Sequence, residues 1–119
     1  MGKVVELKKH KRFQLREVQE LLPIVKKVTQ KTVEQVTQLE QRIHDLDPEP
    51  SQRPYFEEQL SRIIQRWSDK ISKLGALPKG FWLVDFDNGE GYYCWKYGED
   101  EVEYCHDYES GFSSRTPIL

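Results

Sequence analysis

The sequence predicts an α+β fold: a long antiparallel two-helix hairpin, its first helix kinked at Pro23, followed by a small three-stranded antiparallel sheet packed on the helices. Three observations lead there. Two stretches carry apolar residues at alternating spacings of three and four, the seam of a helical bundle or coiled coil. Between them, Asp47-Pro-Glu-Pro-Ser-Gln-Arg-Pro54 places three prolines in eight residues, a break that stops a helix. Beyond Gly75 the helix formers give way to glycine, aromatics and acids with period-two alternation. A chain of 119 residues fits a single domain. It divides into a basic arm over 1–12, the hairpin over 13–75, a β-meander over 76–106 and a tail over 107–119.

The first helix is expected to begin near Leu15. With Gln14 as its cap, Phe13 and Val18 stand at the spacing of a hydrophobic staple, and Glu17 can reach back to the free N–H of the cap. Gln14 itself caps poorly. The seam then runs through Leu15, Val18, Leu22, Val25, Thr29, Thr32, Val36, Leu39, Ile43 and Leu46. Pro23 removes one backbone bond and crowds the preceding turn, which predicts a kink near Gln19 to Leu22. Pro54 suits the first turn of the second helix, with Glu57 and Glu58 near its positive end. Phe56, Leu60, Ile64, Trp67, Ile71 and Leu74 form its stripe, Lys70 and Lys73 suit its C-terminal end, and Gly75 stops it. A lone pair of helices buries one face of each. The surplus apolar face must meet the sheet, a second copy of the chain, or both, so a homodimer is expected.

Three strands are expected, over Phe81–Asp87, Tyr92–Tyr97 and Glu101–His106. Asn88-Gly89 is a type I′ hairpin signal, which sets Val84 opposite Tyr93 and Trp82 opposite Trp95. In the next hairpin, pairing Lys96 with Glu103 and Cys94 with Cys105 sets Trp95 opposite Tyr104 and Tyr93 opposite His106. Trp82, Val84, Phe86, Tyr93, Trp95, Tyr97, Val102, Tyr104 and His106 then face the helices. Leu83, Cys94 and Cys105 lie on the outer face, where Phe112, Pro117 or Ile118 of the tail could cover them.

The net charge of −2 hides an asymmetry. Residues 1–31 hold nine lysines and arginines against three acids, and residues 84–119 hold two against nine. Such ends are expected to pack on each other, within one chain or between two. A nucleic-acid partner is not expected, because the acidic end would repel phosphates. Apolar runs are too short to span a membrane. No apolar stretch follows the N-terminal lysines as a signal peptide requires. A cytoplasmic location with reduced Cys94 and Cys105 is expected.

The chain carries no phosphate-binding loop, no dinucleotide fingerprint and no nucleophile beside a plausible base. No catalytic residue, metal site or cofactor is therefore expected. Two thiolates could serve zinc, but a site needs further donors, and the register above turns His106 to the other face. Glu99, Asp100, Glu101 and Glu103 form an acidic hairpin tip, and Arg115 could reach back to it or to Asp107 and pin the tail. The candidate binding residues are Trp95, Glu99, His106 and Arg115.

The pattern C-W-K-x-G-E-x-x-V-x-x-C-H from Cys94 to His106, followed by G-F-x-x-R-x-P from Gly111 to Pro117, resembles a family of small bacterial proteins, domain of unknown function 2203. Leu83-Val84-Asp85-Phe86, Phe13-Gln-Leu-Arg-Glu-Val and Leu21-Leu22-Pro23 are similar to that family as well. The family usually has Thr where Gln14 stands and Trp where Cys105 stands. The resemblance implies a bacterial cytosolic protein with a helical hairpin and a small sheet, and it brings no activity. The residues read best as an interaction or assembly module that self-associates through its helices. The alternative is a small-ligand or metal-binding protein using the C-terminal aromatics with Glu99, His106 and Arg115.

Overall fold

The structure is a computed structural model, and it describes residues 11–118. Most of the basic arm therefore lies outside the described residues. At its described end, the Phe13 N–H donates to the Asp87 carbonyl at 2.7 Å, which ties the chain to the sheet before the first helix starts. That helix, α1, spans Leu15–Leu46 and passes Pro23 as one continuous element. The Gln14 N–H donates to Glu17 Oε1 at 2.8 Å, as the spacing predicted. Asp47, in the left-handed region at φ 45°, ends α1 by donating its N–H to the Ile43 carbonyl. A 3₁₀ turn over Pro50–Gln52 leads into α2, Arg53–Lys73, with Pro54 in its first turn.

The near half of this hairpin meets the sheet. Val18, Leu22, Val25, Trp67 and Ile71 join Val84, Phe86 and Trp95 in one buried core. Trp67 also stacks edge-on against Trp82 at 5.0 Å. The two threonines of the seam have distinct reasons to be there. Thr29 is fully buried and its Oγ1 accepts the Trp67 indole N–H at 2.9 Å, while Thr32 Oγ1 bonds the Val28 carbonyl. A Thr29→Val variant keeps the shape but orphans a buried donor. It is expected to cost about 1–3 kcal/mol, read from the urea unfolding midpoint. In the far half, Val36, Ile43, Phe56, Leu60, Ile63 and Ile64 are only half-buried.

The sheet has five antiparallel strands rather than three: β1 Leu77–Lys79, β2 Leu83–Asp87, β3 Gly91–Lys96, β4 Tyr104–Asp107 and β5 Thr116–Pro117. They lie side by side in chain order. The two additional strands are the sheet's edges, where the prolines at 78 and 117 need no N–H for a ladder. The tail is thus part of the sheet, not coil throughout.

Both expected registers are corrected. In the first hairpin Val84 faces Trp95 and Phe86 faces Tyr93, a slip of two residues that leaves the faces unchanged. Asn88 opens the turn instead of sitting at its centre, because its Oδ1 accepts the N–H groups of Glu90 and Gly91 at 2.8 Å each. Gly89 then takes the first central position at φ +92°, where a type II′ turn calls for glycine. In the second hairpin Tyr92 faces His106, Tyr93 faces Cys105 and Cys94 faces Tyr104. That slip of one residue exchanges the faces of β4. The cause is Glu99: its Oε1 accepts the Lys96 N–H at 2.8 Å, its N–H donates to the Lys96 carbonyl, and its carbonyl accepts the Trp95 indole N–H at 2.9 Å. These bonds build a loop between β3 and β4 in place of the Lys96–Glu103 pair. Tyr104 and His106 consequently leave the helix-facing side, and Cys105 leaves the Cys94 side.

Gly91 allows β3 and β4 to approach where His106 is placed. A Cβ there would press on the His106 carbonyl oxygen and stand 2.9 Å from Asp107 Cα, both backbone atoms that cannot swing aside. Gly91→Ala is expected to lower stability by about 1–3 kcal/mol in thermal unfolding.

Candidate functional site

Three neighbouring strands each bring one chemically distinct side chain to the outer face. Asp85 of β2 stands directly opposite Cys94 of β3, and His106 of β4 stands diagonal to Cys94, two residues along the ladder. Their carboxylate oxygen, sulfur and ring nitrogen lie within 4.8 Å of one another, and all three residues are buried. Carboxylate, thiol and imidazole are the donor types that hold divalent transition metals.

Each member has a definite setting. His106 Nδ1 is 2.9 Å from the Asp107 carbonyl oxygen. A carbonyl only accepts, so Nδ1 carries the hydrogen of that bond. His106 Nε2 sits 3.2 Å from both Asp85 oxygens. Burial pushes the Cys94 thiol up to about 12; the neighbouring Asp85 carboxylate adds to the rise, and the Arg115 guanidinium, within hydrogen-bonding reach of the sulfur, opposes it.

The tail roofs this cluster. Asp107 Oδ1 accepts the Ser110 N–H and hydroxyl and the Glu109 N–H at 2.6, 2.7 and 3.0 Å, which turns the chain back over the sheet. The Ser110 bonds hold the Asp107 carboxyl below its ordinary value. Between tail and sheet lies a cavity of about 190 Å³, lined by the three donors with Lys79, Tyr92 and Phe112 among others. Tail cover over Leu83, Cys94 and Cys105 was expected; Phe112 borders the cavity together with Leu83 and Cys94, while Cys105 lies on the other face.

The four candidate binding residues separate. His106 lines the cavity. Trp95 is fully buried in the core on the other face. Glu99 and Arg115 bind each other through two parallel bonds, Nη1 to Oε1 at 3.1 Å and Nη2 to Oε2 at 2.7 Å. The Arg115 guanidinium also lies between the rings of Tyr104 and Phe112, 4.0 and 4.2 Å from their centres. Burial opposes ionisation of Glu99, but bonds from Arg115 and the Lys96 N–H outweigh it and hold the carboxyl below its ordinary value. Cys105 is apart from the cluster, its sulfur 3.8 Å from Thr116 Oγ1, and both thiols are free.

Asp85, with Tyr92 the nearest polar group on the cysteine face by sequence, was not among the four candidate binding residues. Its signal was there, a lone acid between Val84 and Phe86 on the face of Cys94, and the two-residue slip in the first hairpin brings it level with Cys94. His106 was singled out, but the one-residue slip in β4 hid its partners.

A family model described as an uncharacterized conserved protein (DUF2203) matches residues 11–118 of this chain. No curated protein and no solved structure matches it.

Proposed function

The chain belongs to this family of uncharacterized conserved proteins, and from that premise we propose that it is a non-enzymatic assembly module, which pairs with a second copy of itself through the far half of its helical hairpin. One observation carries this reading: the heptad seam continues beyond the sheet that covers its near half. There Ile43, Phe56 and Leu60 border an open cavity of about 530 Å³, and Leu46 and Tyr55 are 61% and 60% exposed. Laying two such faces together would bury them as a four-helix bundle with a self-complementary interface. Among the described residues no helix is long and apolar enough to cross a membrane. A cytoplasmic location agrees with two free thiols in one chain. Nucleic acid has no part in this reading.

Sedimentation equilibrium at micromolar concentration tests it. A dimer is expected for the unaltered chain, and Leu46→Glu, at an exposed position, is expected to return it to monomer with its melting temperature little changed. A monomer throughout the concentration range would sink the reading.

A second reading, binding of a small ligand or metal by the C-terminal region, has its own support in the cavity that His106 lines beneath the tail. Trp95, Glu99 and Arg115 act in it as supports of the loop and tail rather than as contacts.

A further inference from the structure

The geometry points to a binding site for one divalent, zinc-like cation, held by the Asp85 carboxylate, the Cys94 thiolate and His106 Nε2. This goes beyond the assembly reading and deepens the second one, naming its ligand and two residues outside its original set.

The donor set comes first. Nitrogen, sulfur and carboxylate oxygen are the ligands zinc takes, and three protein donors with an open position are a common zinc arrangement. Here the open position falls to the cavity of about 190 Å³ on which all three donors border.

Spacing comes second. Metal bonds of about 2.0–2.2 Å at a tetrahedral angle put nitrogen and oxygen ligands roughly 3.3 Å apart. His106 Nε2 lies 3.2 Å from each Asp85 oxygen. The competing arrangement is a doubly protonated ring donating to the carboxylate. A proton shared between the two oxygens fits the same 3.2 Å contacts, and the metal titration separates the two arrangements.

The outer hydrogen bond comes third. A metal-bound histidine usually donates its other ring N–H to a carboxylate or backbone carbonyl. His106 does so to Asp107, at 2.9 Å. In the neutral ring this leaves the Nε2 lone pair facing a carboxylate, two acceptors with nothing between them. A cation resolves that conflict. The charges also close: a thiolate and a carboxylate balance a divalent ion, and the Arg115 guanidinium beside Cys94 is balanced by Glu99. Finally, the donors sit on three paired strands, so the site is assembled by the sheet itself and needs no loop to order around it.

The test uses the full chain, stripped with a chelator and titrated with zinc by calorimetry. A parallel titration with cobalt is followed by absorption. One equivalent of zinc per chain is expected, together with a cobalt–thiolate charge-transfer band and the visible bands of a tetrahedral ion. Cys94→Ser should abolish the band and weaken zinc by more than about 100-fold, beyond what loss of an outer hydrogen bond costs. Cys105→Ser, on the opposite face, should leave both unchanged. The cobalt spectrum of the unaltered chain decides the matter even where a buried variant does not fold. The inference is overturned if that chain binds no zinc at micromolar concentration, or if the thiolate band survives Cys94→Ser and is lost in Cys105→Ser. Stabilisation by a small organic ligand without zinc binding would overturn it too, while leaving the second reading in place.

Discussion

Replacing Trp95 by alanine is expected to lower stability by about 3–5 kcal/mol, a large share of the roughly 5–15 kcal/mol that holds a typical domain folded. The side chain is fully enclosed among the core residues of both layers. Its removal leaves a cavity that neither helix nor sheet can close. Trp95 has a second task, since its indole N–H holds the Glu99 carbonyl. Trp95→Phe separates the two: it keeps most of the packing and loses that bond, an expected cost of about 1–2 kcal/mol. Denaturant unfolding of both variants against the unaltered chain checks the order. Equal losses would show that the β3–β4 loop, not packing, dominates.

Arg115→Ala is expected to cost about 2–4 kcal/mol, because it strands a mostly buried Glu99 carboxylate and removes a guanidinium from between two rings. Arg115→Lys should recover little, since an ammonium offers neither the planar fork nor the stack. Amide hydrogen exchange should speed up over residues 107–118 well before it does in α1. The pair also sets a direction with pH. Glu99 is held below its ordinary value of 4.5 in the folded chain. Its contribution is therefore present above that value and lost as pH falls through the lower, folded one. Acid unfolding of Arg115→Ala should be less steep in that window, and Glu99→Gln combined with Arg115→Ala should cost less than the sum of the two.

The sequence carried the helices plainly and the sheet only in part. Heptad spacing, the proline run and Gly75 bounded α1 and α2, because those signals are local. Alternation also placed Val84, Phe86 and Trp95 on the core side, since a slip of two residues keeps faces. It failed in β4, where alternation alone could not say how many residues the connection holds. The Glu99 side chain, bonded to Lys96 and Arg115, sets that number. Arg115 comes from 16 residues further on, so the information is tertiary. The candidate site inherited the same error, because His106 was assigned to the face it does not occupy. The edge strands read from sequence as a connector with one short extended piece and as coil for the opposite reason: their prolines argue against a strand everywhere except at an edge.

Those edges decide whether the sheet can grow. A free sheet margin invites another strand, and with it open-ended polymerisation. Here one margin is three residues long and carries Pro78 and Lys79, and the other is two residues long and ends in Pro117. Neither offers a ladder that an incoming chain could extend. Growth strand upon strand is blocked at both of these margins, so the sheet ends where its own chain ends it.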